Sequence, residues 1–304
     1  MQGIDYLIKS AKKGDRRAIG RLITILENRN GESEAIRSLI EKNEKKAFIV
    51  GITGPPGVGK SSLISRLVDF FENKEKLAVI MIDATSPFSG GSLLGNRLRL
   101  SSETDVYVRS MATRGNRGGL NLAIGDTLNL LSFVGFSMII VESVGAGQDE
   151  TDILYFADKI VLVLAPGTGD QVQAMKAGQM EIGDFIVLNK ADKPDVIISE
   201  KELMEILSIP DTAKRHKFFK VSSMNGTGID ELGTAITKEK ENKENGIQEK
   251  IEREREKLKQ EMTAIILGME EEIEKIAKEI VSGELTEEQG IKNIIKKIKK
   301  AINP

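Results

Sequence analysis

AFIVGITGPPGVGKSSLISRLVDFFE, residues 47–72, holds the pattern that decides how the chain folds. Residues 47–53 are a short apolar run of strand type, and residues 61–72 repeat apolar side chains at helical spacing. Between them Gly54-Pro55-Pro56-Gly57-Val58-Gly59-Lys60-Ser61 satisfies G-x-x-x-x-G-K-[ST] in the strand–loop–helix context that gives the motif meaning. Glycines let successive backbone N–H groups curl around a β-phosphate, where side chains would clash. Lys60 is expected to reach the β- and γ-phosphates and the Ser61 hydroxyl to ligate Mg²⁺. The helix that opens at Ser61 and Ser62 turns its positive end toward the phosphates.

Outward from this loop, six more apolar runs alternate with helical stretches: LAVIMIDA, VYVRS, SMIIVES, KIVLVLA, DFIVLNK and KFFKVSS. Continuous apolar character suits strands covered on both faces. Strand–helix alternation implies an α/β fold with a mostly parallel sheet, right-handed crossovers and helices on both sides. Nucleotide is expected at the carboxyl ends of the strands.

Two flanking regions differ in texture. Residues 1–45 look helical, with Leu7, Ile8, Ala11, Ala18, Ile19, Leu22, Ile23 and Leu26 at helical spacing. Gly14-Asp15 divides the run, with Asp15 as an N-cap, and a short helix follows. The central domain is placed at residues 46–240. Residues 241–304 are Glu/Lys-rich, with Ile251, Leu258, Met262, Ile265, Ile266, Ile273, Ile276 and Ile280 on a helical period. Ser282-Gly283 ends that helix, and Thr286 with Gln289 forms a capping box for a last one. The narrow apolar stripe suits a helix that rests on the central domain, an arm that pairs with a second copy to give a homodimer, or a solvated helix.

Composition removes several classes. The 304 residues carry Lys+Arg 44 against Asp+Glu 46, a net charge of −2. Neither nucleic acid nor an anionic membrane is implied as partner. Cys is absent, so disulfides, thiolate metal sites and Cys nucleophiles are excluded, which fits a reducing, cytoplasmic setting. No apolar run approaches the roughly 20 residues that span a bilayer, and the N-terminus has no signal-peptide core.

The base is read from Asn189-Lys190-Ala191-Asp192, an N-K-x-D at the end of a late strand. An Asp carboxylate accepts from both guanine N1–H and the 2-amino group. Adenine offers neither donor and would leave the carboxylate desolvated and unpaired. Val221-Ser222-Ser223, ending the next strand, stands where backbone contacts guanine O6. GTP is therefore the expected nucleotide.

Metal and switch candidates follow the strands. Glu142 opens E-x-x-G with Gly145, its carboxylate expected to hold Mg²⁺ through water and the glycine N–H to sense the γ-phosphate. Gln148 could orient an attacking water, or be an ordinary loop residue. Asp83, ending LAVIMID, is placed for metal or water. The long loop after it, ATSPFSGGSLLGNRLRL, has the composition of a switch. Arg97 and Arg99 in it are surface charges or contacts to phosphate or partner.

Four stretches taken together resemble one family: PFSGGSLLGNRLRL, MIIVESVGAGQDE, APGTGDQVQAMKAGQMEIGDFIVLNKAD and KKGDRRAIGRLITILE. They are similar to the MeaB/ArgK-type P-loop GTPases over about residues 4–235. The resemblance implies a GTPase that docks on an adenosylcobalamin-dependent mutase of the methylmalonyl-CoA mutase type. It would gate loading of intact cofactor, protect it, hydrolyse GTP slowly alone and faster with the mutase, and dimerise through its C-terminal helices. It also implies phosphate and Mg²⁺ roles for Lys60, Ser61, Asp83 and Glu142. Asp170 to Lys176 would be a relay loop whose Lys176 brings a cation toward the γ-phosphate. Departures from the family pattern are Asn96 in Gly95-Asn96-Arg97, Gln171, and Thr113-Arg114-Gly115-Asn116-Arg117-Gly118-Gly119.

Three other functions compete with this reading. Metal delivery, as for nickel enzymes, needs His or Cys clusters, and the chain has one His (His216, read as structural) and no Cys. A kinase or ATPase for amino-acid transport is disfavoured by N-K-A-D. A non-catalytic nucleotide-dependent scaffold differs from the GTPase in turnover alone.

Overall fold

The seven apolar runs form seven strands: β1 Phe48–Thr53, β2 Leu77–Asp83, β3 Tyr107–Ala112, β4 Met138–Glu142, β5 Lys159–Leu164, β6 Phe185–Leu188 and β7 Lys217–Lys220. In this computed structural model they make one sheet in the order β3-β2-β4-β1-β5-β6-β7. Every pairing is parallel, so the sheet is wholly rather than mostly parallel. The structure describes residues 2–28, 31–41, 46–83, 105–112, 124–143, 156–167, 183–208, 216–245 and 269–302, with 254–255, 258–259 and 262. These fall into two compact units, Met1–Glu244 and Asn245–Pro304.

In the first unit the helices are α1 Gln2–Lys12, α2 Arg16–Asn28, α3 Gly31–Ile40, α4 Lys60–Phe71, α5 Ile124–Phe133, α6 Val196–Leu207 and α7 Ile229–Glu241. A short 3₁₀ turn, Asn242–Asn245, follows α7, so the helix there does not run on into the Glu/Lys-rich segment. The alternation of β2 shows why its residues are nearly all apolar. Leu77, Val79 and Met81 pack with Leu63, Leu67 and Phe71 of α4 and with Leu232 and Ile236 of α7. Ala78, Ile80 and Ile82 point the other way, to Ile19, Leu22, Ile23 and Leu26 of α2 and Leu128 and Leu131 of α5. Each large side chain so buried contributes roughly 1.5–3 kcal/mol. A third cluster joins Leu162, Leu164, Ile186 and Leu188 to Val196, Leu203 and Leu207 of α6.

The N-terminal helices therefore share a core with the sheet. Their break falls where the sequence places it: Gly14 takes φ +91°, and Asp15 Oδ1 accepts from the N–H groups of Arg17 and Ala18 at 2.9 and 3.2 Å. On edge strand β3, Arg109 donates to Glu27 Oε2 at 2.8 Å and to the Gly20 carbonyl at 3.1 Å, fastening α2. The other edge, β7, has exposed lysines at both ends, Lys217 and Lys220, which discourages strand addition.

The second unit contains α8 Glu270–Val281 and α9 Glu287–Ile302. Ser282 and Gly283 (φ +80°) end α8. The capping box closes reciprocally: Thr286 N–H donates to Gln289 Oε1 at 2.9 Å, and Gln289 N–H to Thr286 Oγ1 at 3.3 Å. Ile276 is buried between the helices, while Val281, Ile291 and Ile295 are exposed. Among the described residues no helix is long and apolar enough to cross a membrane.

Candidate functional site

The site gathers at the carboxyl ends of the central strands. β1 lies between β4 and β5, and Ile52 is in register with Glu142 on one side and Val161 on the other. The loop after Thr53 therefore emerges at the middle of the sheet, where the order of strand connection reverses.

Three glycines shape that loop with positive φ: Gly54 at +138°, Gly57 at +78° and Gly59 at +96°. Gly54 is the tightest, since a Cβ there would strike the Val163 carbonyl. Lys60, buried at the start of α4, donates from Nζ to the carbonyls of Gly54 at 2.6 Å and Pro55 at 3.1 Å. The ammonium is thus held over the loop rather than in solvent. Pro56 and Gly57 are exposed, Val58 is buried in the core, and Ser62 is exposed on α4.

Ser61 and Glu142 meet, with the Ser61 hydroxyl donating to Glu142 Oε1 at 2.8 Å. Glu142 is only 6% exposed. Its position is fixed by the next residue: Ser143 N–H donates to the Ile52 carbonyl at 3.0 Å, and Ser143 Oγ to Thr53 Oγ1 at 2.9 Å, both side chains buried. A hydroxyl and a carboxylate at this spacing form a hard-oxygen donor set that suits Mg²⁺ together with phosphate oxygens. Asp83 ends β2, two positions beyond the Met81–Glu142 register, on the same edge of the sheet. Gly145, Gln148 and Lys176 lie outside the described residues, as do Asn96, Arg97, Arg99, Asp170 and Gln171.

The N-K-x-D element is built into the phosphate loop. Asn189, 1% exposed, donates from Nδ2 to the Val58 carbonyl at 3.0 Å, and its Oδ1 accepts from Ser223 N–H at 3.1 Å and Oγ at 2.9 Å. Lys190 adopts the left-handed conformation, φ +60°, and its Nζ donates to the Gly57 carbonyl at 2.7 Å. Asp192 is exposed and accepts from Ser222 Oγ at 2.6 Å. That hydroxyl, and then the Asp192 backbone N–H, hold its carboxyl below the ordinary value of 3.8, with Lys193 and Lys190 adding to the effect. Asp192 therefore stays an ionised acceptor of the kind guanine N1–H and its 2-amino group require.

Three residues here escaped sequence reasoning. Thr53 and Ser143 look like ordinary strand-end hydroxyls, and Arg66 like a solvated charge on α4. In the structure Arg66 donates to the carbonyls of Ser223 and Met224 at 2.8 and 2.7 Å. His216 is half-buried against the Gly183 carbonyl, a structural contact.

Such a phosphate loop on a wholly parallel sheet, with N-K-x-D packed on it, defines a P-loop GTPase. The profile of the family described as methylmalonyl-CoA mutase-associated GTPase MeaB matches residues 19–282, and the chain belongs to that family. It is a GTPase that takes GTP and GDP. A Pyrococcus horikoshii protein named "Putative GTPase" is 42% identical over 283 residues, covering 88% of this chain and 87% of that one. The "Methylmalonic aciduria type A homolog, mitochondrial" of Caenorhabditis elegans is 36% identical over 208 residues, 62% of this chain and 52% of that one. A crystal structure of an LAO/AO transport system kinase superposes with a TM-score of 0.70 over 98% of both chains, at 20% identity, a likeness of fold alone.

Proposed function

We propose that this GTPase is a switch that docks on an adenosylcobalamin-dependent acyl-CoA mutase of the methylmalonyl-CoA mutase type, gates loading of the cofactor and protects it. The observation that carries the reading is the extent of the match to a mutase-associated family, which includes the loops after Asp83, Glu142 and Pro166. Gly54 to Ser62 bind the phosphates, with Lys60 on the β- and γ-phosphates. Asn189, Lys190, Asp192, Ser222 and Ser223 bind guanine. Ser61, Glu142 and Asp83 hold Mg²⁺, which when bound neutralises charge on the phosphates. Gly145 senses the γ-phosphate, Gln148 orients water, and Lys176 arrives when the mutase is engaged. The Ser61–Glu142 pair at 2.8 Å supports the metal reading, because both oxygens already converge on one point. The C-terminal helices pair two copies of the chain.

Measuring GTP turnover with and without purified methylmalonyl-CoA mutase tests the proposal, with a pull-down on chain loaded with a non-hydrolysable GTP analogue. Stimulated turnover and a GTP-dependent complex are expected. Unchanged turnover with no complex would remove the mutase reading and leave a GTPase of other purpose.

A further inference from the structure

α4 carries Lys60 and Ser61 in its first turn and Arg66 further along. Arg66 leaves the phosphate side and reaches the loop that follows β7. Its Nε donates to the Ser223 carbonyl at 2.8 Å and its Nη2 to the Met224 carbonyl at 2.7 Å. A planar guanidinium reaches the two successive carbonyls from two separate nitrogens held in one fixed plane, where an ammonium offers a single nitrogen on a flexible stem. Both acceptors are backbone, not carboxylate, so the contact fixes chain geometry rather than neutralising a charge.

That geometry has a direction. In a trans peptide the carbonyl and the following N–H point opposite ways, and the described residues contain no cis bond. Holding the Ser223 carbonyl toward α4 therefore turns the Met224 N–H away from it. The loop has little apolar anchorage of its own here, since the Met224 side chain is 80% exposed. Its remaining ties are polar. Ser222 N–H donates to the Thr227 carbonyl at 2.9 Å, Gly226 N–H to the Ser222 carbonyl at 2.8 Å, and Asn189 and Asp192 accept from Ser223 and Ser222.

We infer that Arg66 is a positioning residue for guanine selectivity: it sets the Ser223–Met224 backbone and couples the base loop to the helix that bears the phosphate-binding lysine. This rests on the reading of Asn189, Asp192, Ser222 and Ser223 as the base site. Loss of Arg66 loosens contacts to the base and leaves those to the phosphates in place.

The test uses the full chain and displacement of a fluorescent GDP by unlabelled GDP or ADP. Arg66→Ala raises the GDP dissociation constant about tenfold, the loss expected for charge-assisted hydrogen bonds, and leaves that for ADP where it was. The GDP-over-ADP preference narrows by the same factor. Arg66→Lys, which keeps the charge without the fork, recovers only part, and it carries the same comparison should Arg66→Ala not fold. GDP affinity unchanged, or GDP and ADP weakened alike, would overturn the inference. Asp192→Asn separates the two readings. If it leaves the preference for GDP intact, the base site itself is misplaced; if it abolishes the preference while Arg66→Ala does not change it, only the role of Arg66 fails.

Discussion

The Asn189 carboxamide donates to the Val58 carbonyl across 131 positions of sequence, at 3.0 Å, and so joins the end of β6 to the phosphate loop. The same side chain accepts from Ser223, which brings the loop after β7 into one unit with the other two. Phosphate loop and base loops thus share a single buried hinge-pin. Asn189→Ala leaves the Val58 carbonyl and the Ser223 N–H without this partner, at about 1–3 kcal/mol for a buried polar group. Urea denaturation should show a loss of that size, and the release of GDP should quicken. Asn189→Asp keeps the acceptor and loses the donor, so it should be little better than Ala.

Asp192 provides a prediction with a pH sign. Its carboxyl is held below the ordinary 3.8, first by the Ser222 hydroxyl and then by its backbone N–H. A depressed pKa means that the ionised form is present above the ordinary value and is lost only as pH falls through the lowered one. GDP affinity should therefore show no titration of Asp192 between about pH 5 and 8. Ser222→Ala removes the largest cause and moves the acid edge upward. Asp192→Asn should weaken GTP about a hundredfold, as loss of a charged acceptor does, and favour xanthosine nucleotides. Equal GTP affinity in Asp192→Asn, measured by calorimetry, would contradict the base assignment.

Much of this was legible in the sequence because the signals were local. Seven apolar runs bounded by turn residues became seven strands, and the caps at Asp15 and Thr286 closed as their spacing implied. The strand order was not legible, since it depends on which strand each crossover passes. Nor was the role of Arg66: its partners are backbone carbonyls 157 and 158 residues away, and a carbonyl has no signature in sequence. Thr53 and Ser143 escaped for the same reason, because their hydroxyls meet only when β1 and β4 are neighbours.

Gly54 is the position where backbone geometry leaves least room. At φ +138° an L side chain is strained, and its Cβ would strike the Val163 carbonyl of β5, which is backbone and cannot turn aside. Gly54→Ala should destabilise by at least about 3 kcal/mol, the range of strain and overpacking combined. Gly57 also has positive φ, +78°, but a Cβ there meets nothing within 4 Å. Gly57→Ala should therefore cost only the conformational term, about 1 kcal/mol. Thermal unfolding of the two variants side by side measures the difference. Similar losses in both would mean that the contact with Val163 is not what requires glycine at position 54.

The place at which the C-terminal helices are removed matters to any test of dimerisation. Lys243, beyond α7, donates to the Ala47 carbonyl at 2.6 Å and pairs with Asp158 Oδ2 at 3.1 Å, and Asp158 in turn accepts from the Ile49 N–H at 2.9 Å. These contacts pin the start of β1, the strand that leads into the phosphate loop. A chain cut after residue 240 loses Lys243 and leaves Asp158 and the Ala47 carbonyl less well satisfied, so its melting temperature should fall and its GDP affinity with it. A chain cut after residue 245 keeps them, and should bind GDP as the full chain does. If the C-terminal helices pair two copies, sedimentation will show the 1–245 chain as a monomer and the full chain as a dimer. A 1–245 chain that still sediments as a dimer would place the interface in the first unit. Comparing only the shorter cut with the full chain would confuse lost pairing with a loosened β1.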